Sequence, residues 1–233
     1  PVGTFWMNQN QGKIFYLSSG LTELSMTNVK WWLSQYLPYQ LTKYFPDYKL
    51  IDNPVAGIGC QVTYDNTNNL VYFSKKDYRP KLKVDGTPFV SYDADRNEFY
   101  ILLGTMHLPV ALGNPDYFES ASWTISYDVK ASDWVSFHDW HPDLTAAGKN
   151  TFMTTKDDGI WVHNQRCDLY ANYYGINYPF EIEYIVNTIQ TVNTLRNIEY
   201  QLEVYKYKYD NCYDRFHVLD YNFDEAVIYN TEQ

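Results

Sequence analysis

The sequence predicts a mainly β protein made of repeated antiparallel hairpins, propeller-like in arrangement, with a short helical insertion near the N-terminus. Three observations lead there. A Tyr-Asp pair, a short polar tip and a fresh alternating strand recur in "TYDNTNNLVYF" (63–73), "SYDADRNEFYILL" (91–103) and "SYDVKASDWVSF" (126–137). Period-2 alternation of apolar and polar residues dominates the chain after residue 51, the pattern of half-buried strands. Aromatic residues make up 18% of the chain, with 24 Tyr and 7 Trp, and such rings favour pleated surfaces. Successive hairpins of this size suit a radial stack whose blades need about 40–50 residues each. A β-sandwich carrying a helical insertion is the alternative architecture.

The elements follow in order. "TFWMNQNQGKIFYL" (4–17) reads as two short strands around a polar turn, with "GLTELS" as a loop after it. In 25–45, Val29, Trp32, Leu33 and Tyr36 recur at i, i+3, i+4 and i+7, which is helix spacing. Ser25 or Thr27 is the expected N-cap. Pro38 ends that helix, and a second short one over 39–45 stops before Pro46. Hairpins are then expected with tips at Asp65–Asn69, at Ala94–Asn97 and after Asp128, and a fourth at Asp158-Gly159, a strong tight-turn signal. "KLKVDGTPF" and "TMHLPVALGNPDYFES" read as connecting loops. Further strands are expected in "FEIEYIVNT" (180–188), "IEYQLEVYKY" (198–207) and, as a closing hairpin, "FHVLDYNFDEAVIYN" (216–230). The whole, residues 1–233, is read as a single β-rich domain.

The recurring aspartate has a local physical role. Its side chain can accept hydrogen bonds from the turn amides just ahead of it. The tyrosine before it points to the opposite strand face.

Net charge is −10, which gives the chain no overall field for gripping nucleic acid or an anionic membrane. No stretch of 18 apolar residues suggests a membrane span, and no signal peptide is visible. The chain starts at Pro1 without an initiator Met, so it reads as processed or as part of a longer chain. Cys60, Cys167 and Cys212 are far apart and odd in number. They read as free thiols, not as a disulfide framework or zinc site.

No catalytic, cofactor or metal residue is assigned. Three groups were weighed. His138 and His141 with Asp139 and Asp143 contain metal-ligating types, but H-x-x-H at a strand end sends the two rings to opposite faces. A turn with His138 hydrogen-bonded and Trp140 packed is the preferred reading. Asp93, Asp95 and Asn97 alternate like the start of a calcium loop, yet the glycine and the bidentate glutamate of that loop are missing. Glu181 and Glu183, at i and i+2 on a strand, could approach each other as glycosidase carboxylates do. Nothing else singles them out.

"WVSFHDWHPDL", "GIWVHNQRCDLYANYYG" and "YPFEIEYIVNT" are similar to segments of tail proteins of short-tailed bacteriophages, the muzzle, nozzle or stabilisation proteins, most closely those of crAss-like phages. "DNTNNLVYFSKKDY" and "GLTELSMTNVKWWL" fit the same style, so the resemblance covers roughly residues 4–190. It implies a non-enzymatic virion component around a propeller-like domain. Such a protein forms a sixfold or twelvefold ring, meets other tail and portal-proximal proteins, retains packaged DNA without reading its sequence and takes part in ejection. Its location would be the virion tail, with no membrane span. Family members are usually much longer than this chain. Two other readings remain: a carbohydrate-binding module with Trp123, Trp134, Trp140 and Trp161 as stacking platforms, or a glycan hydrolase.

Overall fold

The computed structural model describes residues 3–149, 151–157, 159–163, 171–183, 201–207, 215–218 and 223–227. The protein is mainly β, in several small antiparallel sheets. Contacts divide it into two compact units, 1–163 and 164–233.

In the first unit, β1 (Thr4–Asn8), β2 (Lys13–Leu17) and β3 (Leu21–Glu23) form a meander. The segment expected as a loop after β2 supplies β3 instead, because a reversal at Ser18–Gly20 returns the chain, with Ser18 N–H donating to the Gly20 carbonyl. A 3-10 turn at Leu24–Met26, α1 (Lys30–Tyr36) and α2 (Leu41–Tyr44) form the expected helical insertion. The expected caps do other work. Ser25 Oγ accepts from Ile14 N–H, and Thr27 Oγ1 donates to the Leu24 carbonyl. Val29 begins α1 with no side-chain cap.

The centre is a four-stranded sheet in the order β12-β11-β5-β4, from β4 (Gly59–Asp65), β5 (Leu70–Lys76), β11 (Trp123–Asp128) and β12 (Asp133–His138). Between β5 and β11 the chain makes an excursion. Its outgoing strand β6 (Tyr78–Pro80) pairs with its returning strand β10 (Phe118–Ser120). The excursion carries a meander of β7 (Ser91–Asp93), β8 (Glu98–Leu103) and β9 (Met106–Val110). Both segments expected as loops therefore contain paired backbone, the first only as a Leu82–Pro88 bridge. A third meander, β13 (Leu144–Ala147), β14 (Phe152–Lys156) and β15 (Gly159–His163), ends the unit.

One face of the central sheet is apolar. Val71, Phe73, Trp123, Ile125 and Tyr127 pack on Ile14 of β2 and on Leu33 and Leu37 of the helical segment. Each fully buried side chain of this kind contributes about 1.5–3 kcal/mol. A second core joins the insertion to the excursion through Tyr39, Leu41 and Phe45 against Val90, Phe99, Val110 and Phe118.

A buried ion pair fixes the insertion between the two cores. Lys75 Nζ lies 2.6 Å from Asp77 Oδ2, and neither side chain is exposed. Lys75 also donates to the carbonyls of Tyr36 (2.7 Å), the last residue of α1, and Pro38 (2.9 Å), just after it. Asp77 accepts from the amides of Gln40 (2.6 Å), Leu41 (3.3 Å) and Tyr78 (2.9 Å). It thus caps α2 from the distant link between β5 and β6, supplying the acceptor that the sequence around residue 40 lacks.

The Tyr-Asp phrase is a turn module. Asp65 Oδ1 accepts from the amides of Thr67 and Asn68 at 2.9 and 3.4 Å, Asp93 Oδ1 from Asp95 and Arg96 at 2.9 and 3.1 Å, and Asp128 Oδ1 from Lys130 and Ala131 at 2.7 and 3.0 Å. Four residues after each aspartate the backbone turns left-handed, at Asn69, Asn97 and Ser132. The tyrosine hydroxyl closes the ring, donating to Asn69 Oδ1 (3.2 Å) in the first copy and Asn97 Oδ1 (2.7 Å) in the second. A fourth copy, "MNQNQGK", was missed because Asn8 replaces the aspartate and Gly12, at φ +64°, replaces the left-handed polar residue. Two copies, in β4–β5 and β11–β12, lie in one sheet and a third in another. The repeat therefore marks a turn type, and the described sheets close into no barrel or propeller ring.

In the second unit, β16 (Asn172–Tyr173) and β17 (Ile176–Asn177) form a two-residue hairpin, and β18 (Val204–Tyr207) pairs with β19 (Arg215–Val218). Tyr174 and Gly175 both have positive φ, as a type I′ turn requires. No strand forms over 180–183 or 201–203, so the strands expected from Phe180 and before Val204 are absent there. The start of the expected closing hairpin, in β19, pairs with β18. Residues 184–188, 198–200, 219–222 and 228–230, with Asp158, Cys167 and Cys212, lie outside the described residues.

Candidate functional site

The opposite face of the central sheet is polar and yet buried. By register it carries Gln61 and Thr63 of β4, Tyr72 and Ser74 of β5, Thr124 and Ser126 of β11, and His138 of β12. Ser74, Thr124 and Ser126 are each no more than 2% exposed. The β13–β15 meander covers this face. Phe152 stacks on Tyr72 with ring centroids 4.9 Å apart, and Trp140 meets both rings edge-on.

Burying hydroxyls without partners would be costly, and the layer is internally paired. Ser74 Oγ and Thr124 Oγ1 are 3.1 Å apart, and His138 Nε2 is 2.9 Å from Ser126 Oγ. His163 Nε2 is 2.7 Å from Thr154 Oγ1. Thr63 and Thr145 share a short hydroxyl contact between β4 and β13. Gln61 spans the same gap, accepting from Thr145 N–H at 2.8 Å and donating to the Pro142 carbonyl at 3.2 Å. Burial pushes His138 and His163 each down to about 4, because the cationic ring would lose its water. Asp139 opposes this at His138, and the charge of His141 reinforces it.

The four residues weighed as metal ligands do different things. His138 bonds a serine, as the preferred reading expected, and Trp140 is 2% exposed. Asp143 Oδ1 pairs with Lys76 Nζ at 2.6 Å. His141 lies beyond the strand end, where burial and the Lys156 charge push its pKa down. Among the described residues no group of three or more His, Cys, Asp or Glu is arranged to hold a metal. At the Asp93, Asp95 and Asn97 tip, Asp93 Oδ1 holds two turn amides, Asn97 Oδ1 holds the Tyr92 hydroxyl, and Arg96 lies 3.7 Å from Asp93 Oδ2. Glu181 and Glu183 are exposed in a segment without strand geometry, so no pleat brings them to one side.

Of the four tryptophans considered as sugar platforms, three face inward. Trp123 and Trp134 donate to the carbonyls of Tyr36 (3.1 Å) and Leu24 (3.3 Å), and Trp140 is buried. Trp161 is 37% exposed, while Trp31, not considered from sequence, is 70% exposed on α1. Cys60 is a free thiol 3.6 Å from the Tyr39 hydroxyl. Burial pushes the thiol up to about 11, so it is a poor nucleophile.

Two surfaces are apolar without a described cover. On the outer face of the third meander, the cross-strand rows Leu144-Thr155-Ile160 and Ala146-Met153-Val162 carry no charge, and Ile160 is 76% exposed. The β8–β9 turn projects Leu102, Leu103 and Met106, each at least 59% exposed. The edge strand β12 is protected differently. Val135 forms a bulge and interrupts its ladder, a device that discourages edge-to-edge pairing.

No protein family, curated protein or solved structure matches the chain. Among the described residues no helix is long and apolar enough to cross a membrane.

Proposed function

We propose that the chain is a non-enzymatic structural component of a phage tail, of the muzzle or nozzle kind. In this reading copies assemble as a ring that extends the portal conduit and meets other tail proteins. The ring retains packaged DNA and lets it pass at ejection. The small sheets would serve as blade-like units of a propeller-like body. The observation that carries the reading is the uncharged outer face of β13–β15. A contiguous apolar sheet face is the kind of surface that marks a protein contact. The charge of −10 suits a conduit wall, since DNA is repelled from it and does not stick. The inward turn of Trp123, Trp134 and Trp140 counts against a glycan module built on those rings.

Immunogold electron microscopy of the source particles, with antibody raised against this chain, tests the proposal. Gold at a single vertex on the tail is the expected outcome. Absence of gold from both intact and opened particles would refute it.

A further inference from the structure

At the ends of β5, β10 and β14 lies a depression of about 200 Å³ lined by Lys76, Lys156, His141, Asp143, Ser120 and Ser122, among others. The chain as a whole has 18 basic and 28 acidic residues. Here the balance inverts: two lysines and a histidine face one carboxylate. That carboxylate, Asp143, is already held by Lys76 at 2.6 Å. Lys156 has no carboxylate within ion-pair distance among the described residues, and its charge depresses the pKa of His141. The Nδ1 atom of His141 is buried with no hydrogen-bond partner among the described residues. Orphaned buried polar atoms are rare and call for an explanation.

The serines add donors in part. Ser122 Oγ is engaged with the backbone of Asp77. Ser120 Oγ accepts from Ser122 N–H at 3.3 Å and keeps its proton to donate. Lys76 ends β5, Ser120 ends β10, Lys156 ends β14, and His141 sits on the connection between β12 and β13. Four segments distant in sequence thus build the depression, and the completed fold holds it in place.

We propose that this depression binds a phosphate group, either free or as the monoester end of a larger molecule. An ammonium, an imidazole and a hydroxyl line it from different elements. A tetrahedral oxyanion offers acceptors in all those directions, whereas a carboxylate offers two in one plane. Bound phosphate neutralises Lys156 and offers an acceptor to the His141 ring, whose pKa the Trp140 backbone already raises slightly against burial and the Lys156 charge. The assignment is independent of the tail proposal.

The experiment is titration of the full chain with inorganic phosphate and, separately, with glucose 6-phosphate, acetate serving as control. Imidazole resonances of His141 are followed by NMR, and heats by calorimetry. Saturable shifts of His141 with both phosphates, and an upward move of its pKa, are expected. Equal affinities would mean that the free ion suffices; tighter monoester binding would mean an esterified ligand. Lys156→Ala should weaken binding at least about tenfold, the loss expected for one charged hydrogen bond, and Lys156→Arg should restore most of it. His141→Gln tests the second donor, with urea midpoints confirming that each variant is folded. No saturation by about 10 mM, where even a millimolar site would fill, would overturn the proposal. So would an equal response to acetate, or binding indifferent to Lys156→Ala.

Discussion

Replacing Asp77 with Ala should be among the most damaging single changes in this protein. The carboxylate is unexposed and meets four donors: the Lys75 ammonium at 2.6 Å and the amides of Gln40, Leu41 and Tyr78. Truncation leaves Lys75 as a buried cation without a counter-ion, facing the Tyr36 and Pro38 carbonyls and the Tyr39 ring 5.2 Å away. Breaking one side of a buried pair costs about 3–5 kcal/mol, and each stranded amide adds to that. The expected loss for Asp77→Ala is therefore at least about 3–5 kcal/mol, a large share of the roughly 5–15 kcal/mol available to a domain. Lys75→Met removes the other charge and can keep the volume filled. The double variant should lose clearly less than the sum of the singles, with a coupling of about 2 kcal/mol or more. Urea denaturation followed by tryptophan fluorescence, with the m-value checked for constancy, measures all three. Asp77→Asn serves as a milder substitute if the alanine variant does not fold. A loss below about 1 kcal/mol for Asp77→Ala, or additive singles, would refute the picture of Asp77 as joint counter-ion and helix cap.

Acid should loosen the polar layer. His138 and His163 sit near 4 in the fold against 6.5 ordinarily, so the unfolded chain takes up protons first. Their contribution is present above pH 6.5 and lost as pH falls towards 4, by at most about 3 kcal/mol per ring. Stability measured at several pH values for the wild type and His163→Gln should differ in slope across that window, and parallel curves would count against it. Trp140→Ala should cost about 3–5 kcal/mol, whereas Trp161→Ala, on a partly exposed ring, should cost about 1 kcal/mol or less; denaturation midpoints decide. Gly12→Ala should destabilise by about 2 kcal/mol or more, since the backbone is left-handed there and the new Cβ would lie 2.7 Å from Ser34 Cα. Among the tip aspartates, Asp65→Ala should cost most, about 2 kcal/mol, because Asp65 is 2% exposed, and Asp93→Ala about half that.

The elements most legible in the sequence are those fixed by local chemistry. The three Tyr-Asp tips, the helical spacing of Val29, Trp32, Leu33 and Tyr36, and the stop at Pro38 all act within a few residues. What escaped depends on distant partners. The segment after Leu17 reads as a loop because it is too short for a visible alternation, yet β2 recruits it. Ser74, Thr124 and Ser126 look like the wet side of half-buried strands, since alternation alone cannot tell water from a second sheet as the cover. Asp77 gives no sign in sequence that it caps a helix 36 residues upstream. Sequence left the tryptophans open as packed rings or as sugar platforms, because composition counts rings without telling where they point. The turn at Asp93 was legible too, because the amides of Asp95 and Arg96 that its carboxylate accepts from are a local matter.

The β6–β10 pairing has a consequence for how such a chain could change over time. Lys81 N–H donates to the Tyr117 carbonyl at 2.8 Å, so the ends of the intervening segment nearly touch. Topologically, that segment is a detachable cassette: a short linker could replace it without disturbing the ladder of the central sheet. Energetically it is not detachable. Val90, Phe99 and Val110 complete the core around Tyr39, Leu41 and Phe45, and an exchange would leave those side chains facing water. A lineage could therefore vary the tips of the excursion freely, but could swap the whole cassette only for one presenting a matching apolar face to residues 39–45.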